Sequence, residues 1–175
     1  MEVRKSRVEL QAYRLLLECG VTEAPVPLEQ IAHHIGATIL YEPFDGDLSG
    51  MVLKKKGRIV IGINSTHHPN RQRFSIAHEI GHVVLHKSDQ VHIDKQFLVK
   101  MRDDISSQAI DPEEIEANTF AAALLMPEAM LKNDLADSEM DCENELGIKE
   151  LAGKYGVSRK AMTFRLTNLE LVNRV

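Results

Sequence analysis

Within residues 74–86, FSIAHEIGHVVLH, three histidines stand at fourfold spacing in an apolar run, with a glutamate beside the first. Side chains at i and i+4 lie on one face of an α-helix, a turn apart. His78 and His82 can therefore aim their imidazoles at one point. Zinc binds histidine nitrogen at about 2.0–2.1 Å in a tetrahedral shell, so this pair supplies half of a metal site. Glu79 is one residue on, which turns it beside the ion, where a base must stand to take a proton from water. Gly81 costs about 1 kcal/mol against alanine in a helix interior. Its missing side chain implies the close approach of another backbone or of a substrate. The competing reading is a core helix that happens to carry histidines. It would bury two imidazoles and a carboxylate without a metal, which needs unusual partners.

His86 continues the stripe but does not qualify as a third ligand of the same ion. Eight residues along a helix is about 12 Å, and a helix end or an outer position holding a ligand is the expected role. The longer metzincin pattern fails as well, since it needs glycine at position 85 and histidine at 88, where this chain has Leu85 and Ser88. The third ligand must come from elsewhere, and the segment PEEIEANTF is the candidate. Glu114 and Asn118 are i and i+4, so a metal-binding carboxylate would sit one turn before an amide. Asn118 could then hold a ligand histidine through its other ring nitrogen, the outer partner that metal histidines require. Two points stand against this. Asp111-x-x-Glu114 is also a capping-box spacing, and Glu116, on a different face, is an acid of the same stretch. Spacing alone leaves Glu114 and Glu116 both open.

The elements that must position these residues are legible from period and punctuation. Residues 6–19 read as a helix stopped by Gly20, and LEQIAHHIG as a short second helix ended by Gly36. ATILYEP and SGMVLKKKGRIVIGIN alternate like strands, with KKKG as the hairpin turn. A helix is expected from about Pro69 to Leu85, and another from Asp111 as N-cap, through Pro112 at its first position, to Pro127. Residues 87–110 are polar and give no firm signal. The remainder is helical with loops. The sum is an α+β fold, a small antiparallel β-sheet packed with helices.

Bulk properties exclude several classes. The chain has 175 residues, 43% apolar and 27% charged, with a net charge of −5, which describes one ordinary globular domain with at most a small appendage. That charge argues against a surface built mainly for nucleic acid. Cys19 and Cys142 are far apart and outside any CxxC pattern, so no disulfide framework is implied. The charged N-terminus lacks the apolar stretch of a signal peptide, and no apolar run spans a membrane. A cytoplasmic location is expected.

LEQIAHHIGATI, SGMVL, IVIGIN, RQRFSIAHEIGHVVLH, EEIEANTFAAALLMP and LAGKYGVSRKAMTFRL occur here in one order, and together they resemble the ImmA/IrrE family of zinc-dependent metallopeptidases. The resemblance covers most of residues 8–170. It implies a zincin-like HExxH core, with the third ligand four residues before the Asn or Asp of the second motif, which here is Glu114. It also implies Zn2+ held by His78, His82 and Glu114, with Glu79 as the catalytic base, and a protein substrate, a helix-turn-helix (XRE-type) repressor whose cleavage derepresses a mobile element or a stress regulon. The second oxyanion donor is not named. Tyr155, Arg71, Arg73, His33 and His34 are candidates, each expected to be structural.

The peptidase core is expected over residues 1–128, with a helical segment over 129–175 packed on it. Within that segment LAGKYGVSRKAMTFRL reads as helix, turn at Gly156, then a second helix capped by Ser158, the grammar of a helix-turn-helix. Residues 148–175 carry six cations against two acids, and a DNA reader would present Ser158, Arg159, Lys160 and Thr163 to a groove. The resemblance favours packing on the core instead. Two further readings stay beside the peptidase. One is a non-catalytic DNA- or protein-binding regulator with a structural metal; the other is the protease-like half of a toxin–antitoxin pair. A structural zinc site is normally closed by four protein ligands, often cysteines, and has no use for Glu79.

Overall fold

The computed structural model describes residues 2–45, 48–55, 57–86, 92–94, 111–137 and 145–172. Helices α1 (Glu2–Glu18) and α2 (Leu28–His34) lead into strands β1 (Ala37–Glu42), β2 (Gly50–Lys55) and β3 (Arg58–Asn64). Then come α3 (Pro69–Leu85), the short β4 (His92–Asp94) and α4 (Pro112–Leu125). The chain closes with α5 (Glu128–Asp137), α6 (Glu145–Tyr155) and α7 (Arg159–Asn168). Ser88, Cys142 and Arg174 lie outside the described residues, as does most of the polar stretch 87–110.

The fold is α+β, as the periodicities imply, but its sheet is mixed and not wholly antiparallel. The strand order is β1-β3-β2-β4; β2 runs antiparallel to β3 and to β4, while β1 pairs parallel with β3. The cause is the number of reversals. The chain turns once after β1 and again at Gly57, whose φ of +75° suits glycine. After two reversals β3 runs in the direction of β1, and it takes the slot between β1 and β2. Alternation of side chains marks a strand but not its neighbour. The three-residue β4 falls in the stretch where the sequence gives no signal, being too short to show a period.

Helix α3 lies between the sheet and α4, in contact with β2 and β3 on one side and α4 on the other. Covered on both sides, it is buried without interruption from Ser75 to His82, which explains an apolar run with little amphipathic contrast. Its N-terminus is set by Pro69 at the first position and by His68, whose Nδ1 accepts from the Asn70 amide at 3.2 Å. The core joins Ile61 and Ile63 of β3, Ile76, Ala77 and Ile80 of α3, and Phe120, Leu124 and Leu125 of α4, with Leu15 and Leu16 of α1 behind them. Helices α6 and α7 meet at Gly156 (φ +64°), and Ser158 Oγ caps α7 by accepting from the Ala161 amide. Arg165 of α7 is buried: its Nε donates to the Met126 carbonyl at 3.1 Å and its Nη1 reaches Glu9 of α1 at 2.6 Å. Asn70 of α3 donates to the Val157 carbonyl at 3.0 Å. Among the described residues no helix is long and apolar enough to cross a membrane.

Candidate metal centre

The site is made where two helix backbones come unusually close. A Cβ on Gly81 would stand 3.2 Å from the Ala117 Cα, 3.3 Å from its carbonyl oxygen and 3.2 Å from Phe120 Cδ1. The backbone that Gly81 makes room for is therefore that of α4. Glu114 shares a helix face with both Ala117 and Asn118, three and four residues on. Bringing Ala117 against Gly81 delivers both polar side chains to the histidines of α3. Substituting Gly81→Ala would gain about 1 kcal/mol of helix propensity but overpack the contact, at a cost of about 1–3 kcal/mol. The expected outcome is a lower melting temperature together with weakened metal binding, checked by thermal denaturation with and without metal.

The gathered atoms point at one spot. His78 Nε2 and His82 Nε2 are 3.0 Å apart, and the Glu114 carboxylate stands 3.5 Å from the first and 3.3 Å from the second. Both histidines are buried, and Glu114 keeps a small exposed margin. Ligands about 2.1 Å from a tetrahedral ion lie about 3.4 Å from one another, so these separations match a metal shell. The donor chemistry agrees. Asn118 Oδ1 can only accept, so the 3.1 Å contact makes His78 Nδ1 the donor and leaves a lone pair on Nε2 of the neutral ring. Two imidazole nitrogens and a carboxylate converging in a buried space fit a cation. Asp111, for its part, caps α4 by accepting from the Glu113 amide at 3.0 Å, while the Glu114 carboxylate turns to the histidines. Replacing Asn118 with Ala should weaken metal binding about 10–100-fold by releasing the His78 ring. A competition titration against a chromophoric chelator measures this, and an unchanged affinity would show that packing alone orients the ring.

Glu79 is fully buried (0% exposed), and its carboxylate lies against β2. A Cβ built on Gly50 would come 2.8 Å from Glu79 Oε1 and 3.1 Å from its Cγ. Gly50 is thus a residue of the site that sequence reasoning missed, although SGMVL was among the segments carrying the resemblance. A glycine opening a strand looks like any other turn-adjacent glycine until its neighbour is known.

The remaining candidates fall elsewhere. Glu116 does not join the His78–His82–Glu114 group; its Oε2 lies 3.9 Å from His86 Nδ1. His86 stands just past α3, where the chain turns extended, with its ring centroid 5.3 Å from that of His82. Tyr155 is buried, and its hydroxyl donates to Asp134 at 2.9 Å, with burial and that carboxylate pushing the phenol pKa well up. Arg73 donates to the Val26 carbonyl, and desolvation lowers its pKa. His34 is exposed beside Glu18, and His33 is exposed on the same helix. Arg71 donates to Ser49 Oγ at 2.7 Å, on the residue before Gly50.

A family model described as the IrrE N-terminal-like domain, Peptidase_M78, matches residues 32–167, a span that includes every residue of this centre. The chain belongs to the Peptidase_M78 family. Membership bears out the ImmA/IrrE resemblance and makes this a metallopeptidase-type protein with a candidate metal site. Over 109 residues the chain is 35% identical to the radiation response metalloprotease IrrE of Deinococcus radiodurans, a match that covers 62% of this chain and 30% of that protein. A solved structure, a Mycobacterium tuberculosis transcriptional regulator, shares the fold with a TM-score of 0.59 at 20% identity, over 93% of this chain and 46% of that one. This Peptidase_M78 chain therefore spans less than half the length of either relative.

Proposed function

We propose that the chain is a zinc-dependent endopeptidase that hydrolyses one defined peptide bond in a protein substrate, in the cytoplasm. The observation that carries this reading is the convergence of His78, His82 and Glu114 within one metal shell, with the buried carboxylate of Glu79 on the adjoining residue. When bound, zinc supplies Lewis acidity towards a carbonyl oxygen and lowers the pKa of a coordinated water towards 7. The chain's own residues do the rest. His78 and His82 present Nε2 lone pairs, the first fixed by Asn118, and Glu114 supplies the negative charge that balances the ion. Glu79, walled by Gly50, takes the proton from the attacking water and returns it to the leaving amine.

The substrate we propose is a helix-turn-helix repressor, cut to release a stress regulon or a mobile element. The relative named a radiation response metalloprotease supports the stress setting. Direct duplex DNA binding is not part of the proposal: in α7, Arg165 is buried against Met126 and Glu9, and Arg159 pairs with Glu145 at 2.8 Å. The test is a substrate trap. Glu79→Gln protein, pulled from native lysate beside wild type, should retain an intact regulator that metal-loaded wild type cuts once. Recovery of the same uncut partner by both forms, or of DNA alone, would overturn the proposal.

A further inference from the structure

Ser75 carries a buried hydroxyl that neither the packing of α3 nor the metal ligands employ. It stands in the middle of the helix at 1% exposure, and among the described residues its Oγ has no hydrogen-bond partner. A serine inside a helix ordinarily turns to solvent or donates to the carbonyl four residues back. Burial removes the first course, and Ser75 does not make the second bond, to Arg71. A hydroxyl kept from water without a partner is a standing cost to stability. Alanine, a better helix former, would remove that cost. Stability alone therefore does not account for a serine here.

Its place in the helix says what the hydroxyl faces. Ser75 is three residues before His78 and four before Glu79, one turn earlier than both. Side chains on a helix lean toward its N-terminus, so the Glu79 side chain leans over the turn that carries Ser75. The wall opposite is the start of β2. Arg71, a turn before Ser75, donates to Ser49 Oγ at 2.7 Å, and Glu79 abuts Gly50. Ser75 is midway along the stripe between those two contacts. Gly50 brings no side chain to that wall, and Ser49 Oγ already serves Arg71. The acceptor left for Ser75 on this stripe is the carboxylate of Glu79.

We propose that Ser75 is a positioning residue, whose hydroxyl donates to the Glu79 carboxylate and holds it in the orientation for taking a proton. The inference rests on the reading of Glu79 as the base. The serine side chain has one heavy-atom torsion with three staggered wells, so a change of χ1 brings Oγ toward the following turn. A carboxylate accepts at both of its oxygens. Ser75 engages one and leaves the other for the attacking water. Fixing the base in this way raises the share of encounters in which it is aligned with its proton donor.

The test has a structural and a kinetic part. A crystal structure of the zinc-loaded full chain should place Ser75 Oγ about 2.5–3.0 Å from a Glu79 carboxylate oxygen. Oγ bonded to the Arg71 carbonyl, or to any other group, would overturn the proposal. The kinetic probe is the regulator captured by Glu79→Gln protein. On it, Ser75→Ala should lower kcat about tenfold, the scale of one hydrogen bond to a charged group. KM, zinc affinity and melting temperature should stay at wild-type values or better. Ser75→Thr keeps the hydroxyl and should restore most of kcat; Ser75→Cys keeps the volume but donates weakly and should not. In the Glu79→Gln background, Ser75→Ala should cost nothing further, because the two residues act as one unit. Unchanged kcat in Ser75→Ala, or the same loss in both backgrounds, would overturn the proposal and leave the base assignment standing. Full turnover in Glu79→Gln itself would instead remove the base, and this proposal with it.

Discussion

Glu79→Gln is expected to leave the metal centre loaded and to lower peptide hydrolysis by about 10²–10⁴-fold, the range of a general base. The substitution keeps the shape of the side chain, which matters because Glu79 is fully buried and Gly50 leaves no slack against it. It removes only the capacity to take a proton. Metal content per chain, measured beside kcat on the trapped substrate, makes the result decisive. Full metal with lost turnover assigns the base to Glu79. Turnover within a few-fold of wild type would remove it from the chemistry.

The second large effect is expected at Glu114. Glu114→Gln keeps the packing of α4 but withdraws the carboxylate that stands 3.3 and 3.5 Å from the two Nε2 atoms. A neutral amide is a far poorer partner for a dication, and metal affinity should fall by more than the about 10–100-fold expected of an outer partner such as Asn118. Activity should be lost in parallel, and the melting temperature should stop responding to added metal, because binding to the folded state is what links the two. Glu116→Gln provides the contrast and should leave the ion in place. If Glu116→Gln abolished metal binding and Glu114→Gln did not, the ligand assignment would be reversed.

How far the site could be read before its structure depended on what each residue's meaning rests on. Helix α3 was legible to its ends, because proline at its first position and the apolar histidine run are local signals. The spacing of His78 and His82 is likewise local. Gly81 announced a close approach, but not which backbone would come, since that depends on Ala117, 36 residues later. The choice of Glu114 over Glu116 depends on how α4 is rotated against α3, and spacing leaves rotation open. Gly50 and the parallel β1–β3 pairing were illegible for the same reason: a strand's neighbour is a fact of tertiary structure. His86 was placed outside the metal centre by helix rise alone, but the Glu116 carboxylate near it was not visible, because the helix ends one residue earlier and the chain turns extended there.

The contact between Glu9 and Arg165 joins residues 156 positions apart, and the same guanidinium holds the carbonyl that follows α4. During synthesis the segment carrying all three metal-gathering residues leaves the ribosome well before Arg165 does. The helix presenting Glu114 gains this anchor only once most of the chain has emerged. The helix packing around the candidate metal centre is thereby completed late, in a closure of high contact order that is slow compared with the folding of any single helix.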